Sequence, residues 1–155
     1  MSALLANGGT FRCGLYSQRG RQFVFDARRA VALRNIGSSH ENIVDFRHRV
    51  LKGEVLDDVS QLVEFADFFS TSACRDLIFH VHEDSYTPQR LKTEISEVGM
   101  EFIGFNDIED RGAIDLYRKQ FPNEPTLTNL ENWDQLERTQ NSLLEGYDFW
   151  CWKPL

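Results

Sequence analysis

Thr87-Pro88-Gln89-Arg90-Leu91-Lys92-Thr93-Glu94-Ile95-Ser96-Glu97-Val98-Gly99-Met100-Glu101-Phe102-Ile103-Gly104-Phe105 changes its hydrophobic period halfway, and that change decides the fold class. Thr87 offers a hydroxyl N-cap, and Pro88 fills the first helical position, where a missing N–H costs nothing. Leu91, Ile95 and Val98 recur at helical spacing until Gly99, a residue suited to the left-handed turn that ends a helix. From Met100 to Phe105 the pattern alternates instead, as a strand does. A helix running directly into a strand is the unit of a layered α/β protein.

Working outward, Asn7-Gly8-Gly9 is a turn signal, and Phe11, Cys13 and Leu15 alternate after it, which predicts a strand over 10-16. Tyr147-Asp148-Phe149-Trp150-Cys151-Trp152 is β-prone and predicts another over 147-152. Helices fill the space between. Phe23, Ala27, Ala30 and Val31 predict one from Arg21 to Asn35, ending near Gly37. Ser38-Ser39-His40-Glu41 reads as a capping box opening a second, with Ile43, Phe46, Val50 and Leu51 as its buried stripe. Glu54 to Ala66 permits a third. Ser72 is expected to cap a short helix through Leu77 and His80, after a loop from Asp67. Ile108 to Phe121 is helical up to Pro122, and Thr128-Asn129-Leu130-Glu131 is a capping box for a helix carrying Trp133 and Leu136. Trp133, Trp150 and Trp152 read as core residues. The expectation is a single α/β domain over 1-155, α+β by count, with a small mixed three-stranded sheet (10-16, 100-105, 147-152) and about six or seven helices.

The 155 residues are 41% hydrophobic and 12% aromatic, enough for a core. With 24 acidic against 17 basic residues, the net charge of -7 argues against a nucleic acid partner. Arg19, Arg21, Arg28, Arg29 and Arg34 form a basic cluster, read as a solvated face. No apolar run approaches the roughly 20 residues of a membrane span, and the start lacks a basic flank and a long apolar stretch, so the expected location is cytoplasmic. Cys13, Cys74 and Cys151 form no CxxC pair and read as reduced thiols.

Three pieces then line up in order. Asn7 to Ser17 resembles the loop and fifth strand of a Rossmann-like, S-adenosylmethionine-dependent methyltransferase. Asp67 to Val81 resembles an insertion in a bacterial branch of that superfamily, often fused to tetratricopeptide repeats. Pro88 to Phe105 and Phe149 to Lys153 are similar to the closing helix and last two strands. The resemblance implies that 147-152 is the central strand, antiparallel to 10-16 and 100-105. It also implies that the cofactor-binding half is absent, and no G-x-G occurs in the chain. Strand 10-16 then has an open edge, for which a homodimer is the expected cover.

Ser70, Ser72, Cys74, Arg75, Asp76, His80, His82 and Glu83 are the polar residues with most chemical potential in the middle of the chain. The spacing of Cys74, His80, His82 and Glu83 fits no standard zinc pattern, and Cys74 lies on nearly the opposite side of a helix from His80, which disfavours a metal site and a cysteine nucleophile. Arg75 can offer its planar fork to a carboxylate or phosphate. Tyr16 and Ser17 stand at the C-terminal end of a strand, where open α/β sheets bind ligands. The candidate binding residues are therefore Tyr16, Ser17, Ser72, Arg75, Asp76, His80 and Glu83, with no catalytic or metal residue assigned. The competing structural reading has Arg75 and Asp76 tying loops together and His80 in the interior. The expected function is a non-catalytic, self-associating binding module related to the acceptor side of a methyltransferase. No cofactor is expected. The alternative is one chain of a split methyltransferase, with the S-adenosylmethionine site on a partner chain.

Overall fold

The computed structural model describes residues 5–55, 59–80, 83–106, 112–140 and 143–155. The chain is mixed α/β, with six α-helices and a four-stranded mixed sheet among these residues. Its packing divides into two compact units, residues 1–21 with 84–155, and residues 22–83.

The first unit holds the sheet. Its strands are β1 (Thr10–Ser17), β2 (Ser85–Tyr86), β3 (Glu101–Phe105) and β4 (Gly146–Trp152), in the spatial order β2-β1-β4-β3. β4 is central and antiparallel to both neighbours, with Thr10 opposite Trp152 and Tyr16 opposite Gly146. The three-strand expectation is corrected by β2, which pairs in parallel with β1 at Tyr16 and Ser17 and so takes part of the edge expected to be open. Two residues carry no hydrophobic period, so β2 has no sequence signature. It is positioned by Arg90, which donates to the Ser85 carbonyl (2.9 Å) and to both carboxylate oxygens of Asp84.

Strict alternation along β4 sends Tyr147, Phe149 and Cys151 into the core and turns Trp150 outward, 39% exposed. Of the three tryptophans, only Trp133 is therefore a fully buried core residue. Along β3 a one-residue bulge at Ile103 changes the alternation, so that Phe102 and Phe105 both pack on the inward face while Ile103 is exposed. Phe105 stacks on Tyr147 (5.5 Å between ring centroids) and meets Trp133 edge-on (5.6 Å). Three helices pack here: α4 (Pro88–Glu97), α5 (Ala113–Gln120) and α6 (Leu130–Thr139). Thr87 caps α4 as expected, and the Gly99 and Met100 amides close its end on the Ser96 and Ile95 carbonyls, with Gly99 at φ 70. Asn129, not Thr128, caps α6 by accepting from the Glu131 and Asn132 amides. The start of the helix expected from Ile108 lies outside the described residues.

The second unit is helical: α1 (Gln22–Leu33), α2 (His40–Leu51) and α3 (Thr71–Phe79), with 3-10 turns at Ser60–Glu64 and Ala66–Phe69. Of the helix permitted over Glu54 to Ala66, only Ser60–Glu64 and Ala66 take a helical form, the 3-10 one, and Glu54, Val55, Val59 and Phe65 lie in no helix. Phe46, Ile43, Leu62, Phe68, Val24 and Cys74 form its core. α1 ends on Asn35 rather than Gly37. Asn35 adopts φ 51, and the Asn35 and Ile36 amides return to the Ala32 and Val31 carbonyls. Leu51, expected in the buried stripe of α2, is 53% exposed.

Two caps in this unit sit one and two residues away from their expected places. Ser39 accepts from the Asn42 amide, and Ser70 accepts from Ala73, which leaves Ser72 inside α3. In each case more than one nearby hydroxyl qualifies in sequence, and the hydrogen bond selects one. Replacing Ser39 by Ala is expected to cost about 1 kcal/mol, and replacing Ser38 only a few tenths, as measured by urea denaturation.

Candidate functional site

The sheet alternation builds a cleft where β1 and β3 end and β4 begins. Gly14 and Tyr16 face away from the core, and a side chain at Gly14 would project into open space, so its absence deepens the cleft. The cavity has a volume of about 550 Å³, with Tyr16, Arg21, Asn106, Glu145 and Asp148 as its polar lining. The Arg21 guanidinium lies 4.0 Å from the centre of the Tyr16 ring, a cation–π contact that fixes both side chains. Asp148 is gripped by the Arg12 guanidinium through two hydrogen bonds, of which Nε to Oδ1 is 2.8 Å, and Asn106 Nδ2 donates to its other oxygen (3.2 Å). The Arg12 hydrogen bonds hold the Asp148 carboxyl below its ordinary range. The cleft therefore offers an aromatic face, a guanidinium, an amide and carboxylate oxygens around one hollow.

Beneath it lies a buried polar series. The Gly20 amide can only donate, and it donates to Ser17 Oγ (3.0 Å). Ser17 Oγ then has its own proton for Tyr147 Oη (3.1 Å), and the Tyr147 hydroxyl donates to both oxygens of Glu137 (3.0 and 2.8 Å). Arg19 Nη1 bridges Glu137 (3.3 Å) and Asp134 (2.8 Å), while Arg138 Nε holds the other Asp134 oxygen (2.8 Å). Ser17, Asp134 and Glu137 are all buried. Burial lifts the Glu137 carboxyl from its ordinary 4.5 to about 7, although Tyr147 and Arg19 favour its ionised form. Burial, followed by the Glu137 charge, also raises the Tyr147 hydroxyl. Gly20 is required at this point because a Cβ there would sit 1.8 Å from the Leu144 carbonyl oxygen, on the cleft rim.

The expected site residues are divided between the two units. Tyr16 reaches the cleft, but Ser17 is fully buried and acts as a link in the series below it. Ser72, Arg75, Asp76, His80 and Glu83 belong to the helical unit. Ser72 shares a hydrogen bond with Ser70 (3.1 Å), Arg75 Nε donates to the Ser38 carbonyl (3.3 Å), and Asp76 is exposed. His80 is exposed at the end of α3, not interior. It lines a hollow of about 570 Å³ with Glu83, which pairs with Arg28 at 2.7 Å. His82 lies outside the described residues. Cys74 is fully buried and its thiol is pushed up to about 11 by burial, against the pull of Arg47, so it is a poor nucleophile. No metal-holding group of three His, Cys, Asp or Glu side chains occurs among the described residues, and no helix there is long and apolar enough to cross a membrane.

Of the basic cluster, Arg29 is exposed as expected, but three others are engaged by the protein. Arg19 turns to Asp134 and Glu137, Arg21 to Tyr16, and Arg28 to Glu83 and the Leu77 carbonyl. Sequence reasoning also passed over Glu137 and Asp134, although Leu130, Trp133, Asp134 and Glu137 follow the spacing of one buried helical stripe. Carboxylates on such a stripe are the signal that was there to be used. Arg12, Asn106, Glu145 and Asp148 had no comparable signal.

The raised Glu137 carboxyl sets the sign of a pH effect. The folded state holds this proton more tightly than the unfolded chain, so the associated stability is complete below pH 4.5 and is lost as pH rises through about 7. Thermal unfolding is expected to weaken across that window by on the order of 3 kcal/mol, and Glu137→Gln is expected to flatten the fall. Asp84 and Asp148, both lowered by arginine hydrogen bonds, act in the opposite sense at more acidic pH.

No protein-family model and no curated protein matches the chain.

Proposed function

We propose that the chain is a non-catalytic, self-associating binding module, related to the acceptor-side end of an S-adenosylmethionine-dependent methyltransferase, with its ligand seated in the cleft between Tyr16, Arg21, Asn106 and Asp148. The observation that carries this reading is the cleft's position at the C-terminal ends of β1 and β3, where open α/β sheets bind ligands. Its volume suits a small molecule. The Tyr16 ring favours a planar ligand that can stack in the cleft. Self-association is supported by the β1 edge, which β2 engages at Tyr16 and Ser17 alone, so that a second copy can extend the pairing toward Thr10. The split-enzyme reading is favoured by a different feature of that edge. β2 joins β1 in parallel, the direction in which a doubly wound sheet would add further strands from a partner chain.

Three measurements test these readings. Light scattering on the purified chain is expected to give the mass of a dimer, and a strict monomer would remove the self-association claim. Calorimetric titration with S-adenosylmethionine is expected to show no binding, whereas micromolar affinity would overturn the module reading. NMR titration with benzoate and indole-3-acetate is expected to shift the Asn106 and Gly146 amides, with Arg21→Ala weakening the effect about tenfold.

A further inference from the structure

Among the described residues, the core of the sheet unit is incompletely closed over β1. On the inward face Phe149 and Cys151 of β4 are buried, but their neighbours Phe11, Cys13 and Leu15 on β1 are only half-buried. The space beside them is a pocket of about 390 Å³, flanked on the helical side by Leu91, Ile95 and Val98. It is separate from the cleft, because Phe11 and Cys13 face the opposite side of β1 from Gly14 and Tyr16. Its size is that of small-molecule sites, and its walls are almost wholly carbon and sulfur. Burial raises the thiols of Cys13 and Cys151, so both present neutral S–H groups.

Among its lining residues, Tyr86 brings a hydroxyl and Glu94 a carboxylate. The Tyr86 hydroxyl donates to Glu94 Oε2 (3.1 Å), and Arg90 Nε donates to Glu94 Oε1 (2.8 Å). The same guanidinium holds both oxygens of Asp84 (2.7 and 2.9 Å) and lies 4.1 Å from the centre of the Tyr86 ring. Two carboxylates thus share one cation, leaving this group of side chains with an excess negative charge. The Tyr86 proton is already committed to Glu94, so what Tyr86 and Glu94 still offer is lone pairs. That part of the lining is complementary to a hydrogen-bond donor or a cation and unfavourable for an anion.

We propose that this pocket binds a small apolar amine, with its aryl or alkyl body between α4 and β1 and its N–H directed at Glu94. A fatty acid of the same size is disfavoured, since its carboxylate would meet Glu94. The body supplies most of the affinity through apolar burial, and the amine supplies the selectivity.

The test uses N-phenyl-1-naphthylamine, a neutral aryl amine that fluoresces in apolar surroundings. The full chain is expected to bind it saturably at one site, with displacement by octylamine and at least tenfold weaker displacement by octanoate. Leu91→Trp and Cys13→Phe each fill the pocket from a different wall, and either is expected to abolish binding while circular dichroism stays that of the parent. Should Leu91→Trp fail to fold, Cys13→Phe at a half-buried position still decides the matter. Glu94→Gln is expected to retain the naphthylamine and to lose the preference for octylamine over octanoate. The proposal is overturned if the probe does not saturate, if folded pocket-filling variants bind it unchanged, or if octanoate competes as well as octylamine.

Discussion

The antiparallel ladder between β1 and β4 is the constraint on which the sheet unit depends. It joins residues near the two ends of the sequence, with Thr10 beside Trp152 and Tyr16 beside Gly146, and every other long strand contact is made to one member of this pair. Such a pairing closes a very long loop before it gains any hydrogen bond, so it forms late and needs burial to support it. The support comes from alternation. Phe149 and Tyr147 on β4 pack with Phe102, Phe105 and Trp133, and a shift of one residue would turn that aromatic set outward.

The same register creates both candidate sites, one on each face of β1. Outward positions 14 and 16 make the floor and aromatic wall of the cleft, while inward positions 11, 13 and 15 line the apolar pocket. A strand at the side of a sheet has fewer neighbours to cover it than a central one, and β1 shows this on its inward face, where it is less buried than β4. The buried series from Gly20 to Glu137 then fastens the end of β1 to β4 and α6 with directed hydrogen bonds rather than with shape alone. Satisfied networks of this kind fix a unique arrangement, and they do so at the cost of holding carboxylates where ionisation is unfavourable.

Legibility in the sequence followed the range of the interaction. The helix from Pro88 was readable to its last residue because cap, stripe and terminator are all local. The caps at Ser39, Ser70 and Asn129 were readable only to within a residue or two, since adjacent side chains could serve and the choice depends on how the helix docks. β2 was illegible because a two-residue strand owes its existence to Arg90 and to β1 rather than to any pattern of its own. Trp150 was misjudged by residue type when its place in the alternation already assigned it outward.

For the sites the gap was wider, and the reason is physical. Tyr16 could be chosen from its position at a strand end, but the groups around it come from residues 21, 106, 145 and 148, whose convergence is a property of the ladder and the bulge. The polar cluster around residues 72 to 83 looked chemically rich because its residues are adjacent in sequence. In the fold those side chains diverge, Arg75 to a loop carbonyl and Glu83 to Arg28. Proximity along a helix is a weak guide to convergence in space, since residues six apart point to different sides. A charge placed on an apolar stripe is a stronger guide. Asp134 and Glu137 could not be buried without partners, and the search for those partners leads directly to Arg19, Tyr147 and Ser17.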